Sequence, residues 1–186
     1  MKTTRANSFF GVHGNYILIC ASFYHEHSCF HFNGTTPTSI QDTLWSHKLG
    51  IMSTIDEQPF LISGYRKGHT KLSVVTCSHL LTSIRTFKTE KLEEYGWKEM
   101  PEFPFRDFDE NAYLYHTSEV TINNEVLLFG GSCGGQCAHE KAFKFNIMRN
   151  WERLRDLTKP RKGHNSIIFN GRIYHYFGRT ENEFEK

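Results

Sequence analysis

Two segments of the chain repeat the same order of residue types at the same spacing. They are HTSEVTINNEVLLFGG, from His116 to Gly131, and HNSIIFNGRIYHYFG, from His164 to Gly178. Aligning His116 with His164, and Gly130 with Gly178, gives a period of 48 residues. A repeat of this kind predicts a stack of similar units, because one unit alone cannot bury its apolar residues.

Paired turn residues predict tight hairpins within each repeat. A two-residue type I′ turn needs positive φ at both central residues, which Asn and Gly tolerate best. Asn123-Asn124 and Asn170-Gly171 each lie between short apolar stretches, whose length of about five to seven residues is typical of strands. Gly130-Gly131 predicts a positive φ or a bulge where the second strand ends. An aromatic content of 15% also favours sheets.

A weaker copy of the repeat runs from Ile51 to Gly64 around an Asp-Glu turn. A tryptophan follows each of the first two copies, at Trp97 and Trp151, and the stretches EKAFKFN and NWERLRDL predict a third and a fourth strand. Units of four antiparallel strands with a period of about 50 residues are typical of β-propeller blades.

The best copy continues through VLLFGG, Phe145, Trp151, Pro160-Arg161 and His164. This motif resembles the kelch repeat, with phenylalanine where that family commonly has tyrosine. The resemblance covers residues 47–186 and is strongest over 112–178. It implies an all-β fold, a partial β-propeller of four-stranded antiparallel kelch blades. The positions to which it gives structural roles are Gly64, Trp97, His116, Gly130, Gly131, Phe145, Trp151, His164 and Gly178.

The repeats divide the chain into four parts. Residues 1–46 hold a candidate signal segment and the remnant of a first blade, residues 47–104 a degenerate blade, residues 105–161 a well-formed blade, and residues 162–186 the first hairpin of another blade. A propeller closes a ring of about four to eight blades. We therefore expect a fragment of a larger propeller, the alternative being completion by partner chains.

The N-terminal region has two interpretations. Two basic residues precede the apolar stretch YILICASF at 16–23, as in a secretory signal. Cleavage after this stretch would remove Cys20 and leave four of the five cysteines, an even set that suits an oxidising compartment. The alternative is a buried first strand in a cytoplasmic protein whose cysteines are free. A mature N-terminus near residues 22–28 would identify the secreted form.

Composition and motifs argue against several functions. A net charge of +2 is too small to indicate nucleic-acid binding, and no apolar run approaches the roughly 18 residues of a membrane span. No nucleophile elbow, HExxH or P-loop motif is present. We therefore expect no catalytic residue and no cofactor.

Two stretches contain residues that commonly bind metals. Between His25 and His31, three histidines and Cys29 alternate along the chain, but neighbours on one face of a strand lie about 7 Å apart, too far to converge on one zinc ion. For Cys133 and Cys137 we expect free thiols first, a disulfide second and a metal last. No metal site is predicted.

Loop lengths point to a binding edge. In a four-stranded blade, the first-to-second and third-to-fourth turns share one edge, and they are short here, whereas the connections at the opposite edge are long. Functional side chains concentrate on long loops, and arginine and aromatic residues are common anchors. The alternative is that these loops vary without function. The candidates for binding another protein are Arg66, Lys67, His69, Arg106, Phe108, Tyr113, Ser132 and Gln136.

The kelch resemblance implies a non-catalytic protein-interaction module, either extracellular or intracellular. An alternative that shares the kelch pattern is a fragment of a galactose-oxidase-like or sugar-isomerising propeller enzyme. Its active site would lie either at a copper ion held by His25, His27 and nearby tyrosines, or in blades outside this chain.

Overall fold

The chain is built from β-strands in its computed structural model. The structure describes residues 9–20, 27–44, 51–56, 58–67, 83–93, 96–100, 116–132 and 137–180, and within these ranges there is no helix. Fourteen strands form three four-stranded antiparallel sheets and one two-stranded hairpin over the same ranges. The all-β prediction is therefore confirmed. None of the described residues belongs to a helix that could cross a membrane.

Each sheet is a meander of consecutive strands. Sheet I contains Phe9–His13 (β1), Tyr16–Cys20 (β2), Cys29–Phe32 (β3) and Pro37–Ser39 (β4). Sheet II contains Ile51–Ile55 (β5), Gln58–Lys67 (β6), Ser83–Glu93 (β7) and Gly96–Met100 (β8). Sheet III contains Ser118–Ile122 (β9), Glu125–Ser132 (β10), Ala138–Asn146 (β11) and Asn150–Arg153 (β12). The final hairpin contains Asn165–Phe169 (β13) and Arg172–Tyr176 (β14).

The predicted turns are present. Asn123 and Asn124 have φ of 49° and 61°, and Asn170 and Gly171 have φ of 49° and 69°, which are the left-handed values of a type I′ hairpin. The pairing of β10 with β11 is irregular between Phe129 and Gly131, so the double glycine forms the predicted bulge. Both hairpins and the bulge are confirmed.

The final hairpin repeats β9–β10 with an offset of 47 residues. Phe169 and Arg172 face each other across the last turn, as Ile122 and Glu125 do in sheet III. The repeat in the fold is therefore one residue shorter than the period of 48 found by aligning the histidines.

Backbone angles agree with the shorter offset. Phe177 has a φ of 60°, against 59° for Gly130, and Gly163 has a φ of 60°, against 61° for His116. His116 therefore corresponds to Gly163, and its predicted equivalence to His164 is corrected by one residue. Aligning the histidines gives a period one residue too long, because the turns, and not the histidines, set the strand register.

The sheets lie in a row, and each contributes alternate residues to its two sides. We call the side towards the previous sheet in the chain the preceding face, and the other side the following face. The joint between sheets I and II buries Leu18, Cys20, Cys29, Met52, Leu61, Leu92 and Trp97. The joint between sheets II and III buries Ile51, Ile55, Phe60, Ile62, Val126, Leu128, Phe143 and Phe145. The joint between sheet III and the hairpin contains Val120, Leu127, Phe129, Ala142, Ile122, Ile168 and Ile173.

The two repeat tryptophans hold equivalent positions but differ in burial. Trp97 pairs with Leu92 of the neighbouring strand, as Trp151 pairs with Phe145. Trp97 is only 5% exposed, and its indole Nε1 donates a hydrogen bond to the carbonyl oxygen of Gln41 at 3.2 Å. Trp151 is partly buried, with its ring 4.8 Å from that of Phe145. Only Trp97 is therefore enclosed as the repeat predicts.

Residues 1–46 contain a four-stranded sheet where the sequence predicted a remnant and a candidate signal. β2 lies between β1 and β3, so cleavage near residues 22–28 would remove half of sheet I. Cys20 and Cys29 are directly opposite across β2 and β3 and form a disulfide, with a Cα–Cα distance of 4.1 Å. Residues 16–20 therefore form a strand, as the second interpretation of the N-terminal region predicts.

The described cysteines are oxidised, which corrects the expectation of free thiols. Cys137 is disulfide-bonded, and its partner lies outside the described residues. The disulfide to Cys20 also removes Cys29 from any metal-ligand set. Within the described ranges, no group of three His, Cys, Asp or Glu side chains is placed to hold a metal ion.

Candidate functional site

The two edges of the sheets differ in the length of their connections. We call the edge with the short connections the turn edge, and its connections are residues 14–15, 33–36, 56–57, 94–95, 123–124, 147–149 and 170–171. The opposite edge is the loop edge, and its connections are residues 21–28, 40–50, 68–82, 101–117, 133–137 and 154–164. Each turn has two to four residues, whereas each loop has between five and 17. The chain therefore places all its long connections at one edge.

The described candidates for partner binding lie at the loop edge. Arg66 and Lys67 are the last two residues of β6, paired with Ile84 and Ser83, and Ser132 ends β10. The remaining candidates lie outside the described residues, and they are His69, Arg106, Phe108, Tyr113 and Gln136.

Ser132 is a correction to the predicted site. Its exposure is 0%, and its Oγ donates a hydrogen bond to the carbonyl oxygen of Cys137 at 3.4 Å. A side chain enclosed in this way offers no surface to a partner. It stabilises the start of the loop at 133–137 instead.

A backbone network forms the rigid base of the loop edge. The amide of Gly131 donates to the carbonyl oxygen of Arg161 at 2.8 Å. Lys162 and Arg179 exchange two backbone hydrogen bonds, at 3.1 and 2.9 Å. The segment that enters the final hairpin is therefore bound to both sheet III and the end of β14, which gives the loops a fixed support.

His164 is buried within this base. It is 4% exposed, its ring centroid lies 5.6 Å from that of His175, and neither of its ring nitrogens has a hydrogen-bond partner in the described structure. Burial lowers the pKa of His164 to about 4, helped by the positive charges of His175, Arg161 and His139. A neutral imidazole here fills space as an aromatic ring does.

The pKa of His164 predicts a loss of stability in acid. The folded chain keeps His164 neutral down to about pH 4, whereas the unfolded chain protonates it near 6.5. The neutral His164 therefore adds its full contribution to the free energy of unfolding above pH 6.5. As the pH falls towards 4 this contribution is lost, and the free energy of unfolding decreases by about 3 kcal/mol at most. Urea unfolding followed by tryptophan fluorescence at several pH values measures the slope.

The matched variant for this titration is His164→Phe, which keeps a ring and cannot bind a proton. We expect the variant to lose less stability than the wild type between pH 7 and pH 4.5. Part of the slope remains, because burial also lowers the pKa of His175. An unchanged slope would show that His164 does not control the acid response.

Phe177 is a surface residue of the loop edge that the sequence analysis did not single out. Its φ of 60° is left-handed, its side chain is 79% exposed, and its carbonyl oxygen accepts a hydrogen bond from Arg161 Nη1 at 3.3 Å. Non-glycine residues in this region are strained and concentrate at functional sites. The sequence signal is Phe-Gly at the position where sheet III has Gly-Gly, which the period of 48 concealed.

Comparison of the sequence with protein-family profiles gives no match, and comparison with curated proteins also gives none. The fold has 134 matches among solved chains, including the structure of YjhT, with a TM-score of 0.69 at 9% identity. This match covers 91% of the chain, which spans 57% of the length of the YjhT chain. At this identity the likeness concerns the fold alone.

Proposed function

We propose that the chain is a kelch-type part of a β-propeller and acts as a non-catalytic module that binds another protein through its loop edge. The observation that carries the proposal is the contrast between the edges, with turns of two to four residues against loops of up to 17. A rigid scaffold with all its long loops on one side presents many side chains to one partner.

Repeated sheet geometry supports the propeller. Sheets I, II and III have the same strand order, and sheets II and III bulge at the same place, before Gly64 and before Gly131. Successive sheets pack face to face through apolar joints, which is how blades bury their surfaces. The kelch motif around Phe145 and Trp151 lies in β11 and β12 and packs into the joint between sheets II and III.

The disulfide chemistry favours an extracellular location for this module. Cys20 and Cys29 are bonded to each other, and Cys137 is also oxidised. Disulfides persist in oxidising compartments and are rare in the cytosol. Mass spectrometry of the protein from its native source, with and without reduction, measures directly whether these disulfides are present.

Loop-edge variants test the binding function. Arg106→Ala with Phe108→Ala should weaken binding by about 2 kcal/mol or more, the size of a hot-spot truncation. Phe177→Gly should weaken it too, and the fold should tolerate glycine because φ is already 60° there. The measurement is the dissociation constant of a purified partner, first recovered by affinity capture with the intact chain.

Turn-edge variants provide the matched control. Asn123→Gly with Asn124→Gly keeps the type I′ turn, because both residues already have positive φ. We expect this pair to leave binding unchanged. Loss of binding at the turn edge, with binding intact in the loop-edge variants, would place the site on the opposite side and reject the proposal.

A further inference from the structure

We propose that Asn33 carries an N-linked glycan, attached at the turn edge of sheet I. Asn33-Gly34-Thr35 is the acceptor motif Asn-x-Thr, in which x is any residue except proline. No other asparagine of the sequence is followed two residues later by serine or threonine. Because so short a motif also occurs by chance, its place in the fold decides whether the chain can carry a sugar there.

The acceptor lies in an exposed turn. Asn33 begins the four-residue connection between β3 and β4, and every residue from 33 to 39 is exposed. Gly34 has a φ of 95°, and a Cβ built on it would have no atom within 4 Å. A glycan on Asn33 therefore has room to extend into solvent without displacing any part of the described fold.

The side chain of Asn33 stabilises this turn through its oxygen alone. Its Oδ1 accepts hydrogen bonds from the backbone amides of Thr35 and Thr36, both at 3.1 Å, and from Thr35 Oγ1 at 2.8 Å. Backbone amides only donate, so these bonds fix which atom of the side-chain amide is the oxygen. None of the hydrogen bonds within the described residues uses Nδ2 of Asn33, the nitrogen to which a glycan would be attached.

The turn depends on contacts within four residues. An Asx turn of this kind needs no tertiary partner, because each donor is two or three residues from the acceptor. The same local geometry can therefore form while the chain is being made, before the sheets pack. Thr35 serves both features, since its hydroxyl bonds to Oδ1 and also completes the acceptor motif.

Sheet III contains a corresponding turn without the motif. Asn146 is equivalent to Asn33, since each follows a phenylalanine at the same position of the third strand. Its Oδ1 also accepts from the backbone amides two and three residues later, at 2.9 and 3.2 Å. The residue two positions later is Met148, however, and Asn146 Nδ2 donates to Glu125 Oε1 at 3.2 Å. Turn stabilisation therefore explains an asparagine at this position, but neither the threonine nor the unengaged nitrogen of sheet I.

The modification is the transfer of a sugar to an amide nitrogen. The donor is an oligosaccharide activated as a lipid-linked diphosphate, which a transferase of the secretory route supplies. A bond forms between Nδ2 and the anomeric carbon, the bond from that carbon to the diphosphate oxygen breaks, and the lipid diphosphate leaves with the bonding electrons. Nδ2 gives up one proton to a base of the transferase, and nothing is oxidised or reduced.

This modification requires entry into a secretory compartment, so the inference rests on the extracellular location proposed above. The disulfide between Cys20 and Cys29 supports both. The turn edge lies opposite the loop edge, so a bulky sugar on Asn33 would leave the long loops accessible to a partner. The glycan and the proposed binding surface are therefore compatible.

The test is a digest of protein purified from its native source, treated with a peptide-N-glycosidase in heavy-oxygen water. The enzyme removes an N-linked glycan and converts its asparagine to aspartate, which gains one heavy oxygen atom. We expect this label on the peptide that contains Asn33 and none on the peptide that contains Asn146, the internal control. A sample without the enzyme corrects for spontaneous deamidation, to which Asn-Gly is prone. Equal labelling with and without the enzyme overturns the proposal.

Three variants made in the same cells separate the motif from the turn. Thr35→Ala removes the motif but keeps both backbone hydrogen bonds to Asn33, and Asn33→Asp keeps the oxygen acceptor but has no amide nitrogen. Both should lose the glycan completely. Thr35→Ser keeps the motif and the hydroxyl, so it should keep the glycan. A glycan that survives Thr35→Ala, or one that disappears in Thr35→Ser, overturns the proposal, and circular dichroism verifies that each variant folds.

The same sample separates this inference from the proposed location and function. An unmodified Asn33 with an intact Cys20–Cys29 disulfide overturns the glycan and leaves the location standing. An unmodified Asn33 with both cysteines reduced overturns the glycan and the location together. Binding at the loop edge is measured separately through its dissociation constant, and neither result changes it.

Discussion

Gly130→Ala is expected to destabilise the chain by about 3–5 kcal/mol, from left-handed strain and overpacking together. Gly130 has a φ of 59°, which costs an L-residue with a side chain about 1–2 kcal/mol. A methyl group there would also collide with the carbonyl oxygen of Arg161 and lie 3.2 Å from that of His139. Both obstacles are backbone atoms of the loop-edge base, so neither can move without breaking it.

Gly163→Ala separates the cost of the left-handed backbone from the cost of the steric collision. Gly163 has nearly the same φ, 60°, but a Cβ built there has no atom within 4 Å. We expect this variant to lose only the backbone term of about 1–2 kcal/mol. Equal losses for the two variants in urea unfolding would show that the close approach of Arg161 to Gly130 is unimportant.

Trp97→Ala should cost about 3–5 kcal/mol, the range for removing a large aromatic side chain from a core. Trp97 is 5% exposed and seals the joint between sheets I and II. Its removal also leaves the carbonyl oxygen of Gln41 without the hydrogen bond it accepts from the indole, which adds to the loss.

Trp151→Ala is the natural comparison and should cost less, about 2 kcal/mol, in line with partial burial of an aromatic side chain. Sequence alone predicts equal losses, because both tryptophans occupy the same repeat position. Thermal unfolding of the two variants decides between equality and the difference we expect. A larger loss for Trp151→Ala would contradict the assignment of Trp97 as the enclosed wedge.

Much of the fold could be predicted because its signals are local. Asn123-Asn124 and Asn170-Gly171 have few alternatives to a type I′ hairpin, since positive φ at two successive residues is costly for most side chains. Likewise, the double glycine at 130–131 marks a bulge by its own backbone freedom. The first hairpins of sheet III and of the final repeat follow from these turns and from the short apolar stretches beside them.

Sheet I was harder to recognise because its cues are weak or misleading. The stretch YILICASF satisfies the apolar requirement of a signal segment as well as that of a strand. Pro37 stands where a tryptophan would have marked the repeat, so the blade lacked its most specific residue. Pairing of Cys20 with Cys29 depends on the register of β2 and β3, which cysteine counting cannot supply.

The candidate site was predicted in outline only. The contrast in loop length indicates one edge as the candidate binding surface, because strand connectivity alone alternates the connections between edges. Burial depends on tertiary packing, however. The structure encloses Ser132 and exposes Phe177, and neither outcome could be read from the sequence. The true offset of 47 residues, which reveals Phe177 in the position of Gly130, emerges from strand pairing.

The sequence by itself determined the hairpins of sheets II and III and of the final hairpin, and their repetition to within one residue, because these depend on the conformational preferences of neighbouring residues. Only the tertiary structure decided which alternate residues face which neighbour, since a shift of one residue moves every side chain to the other side of a sheet. It also decided that His164 is buried and neutral and that Trp97 is enclosed while Trp151 is not.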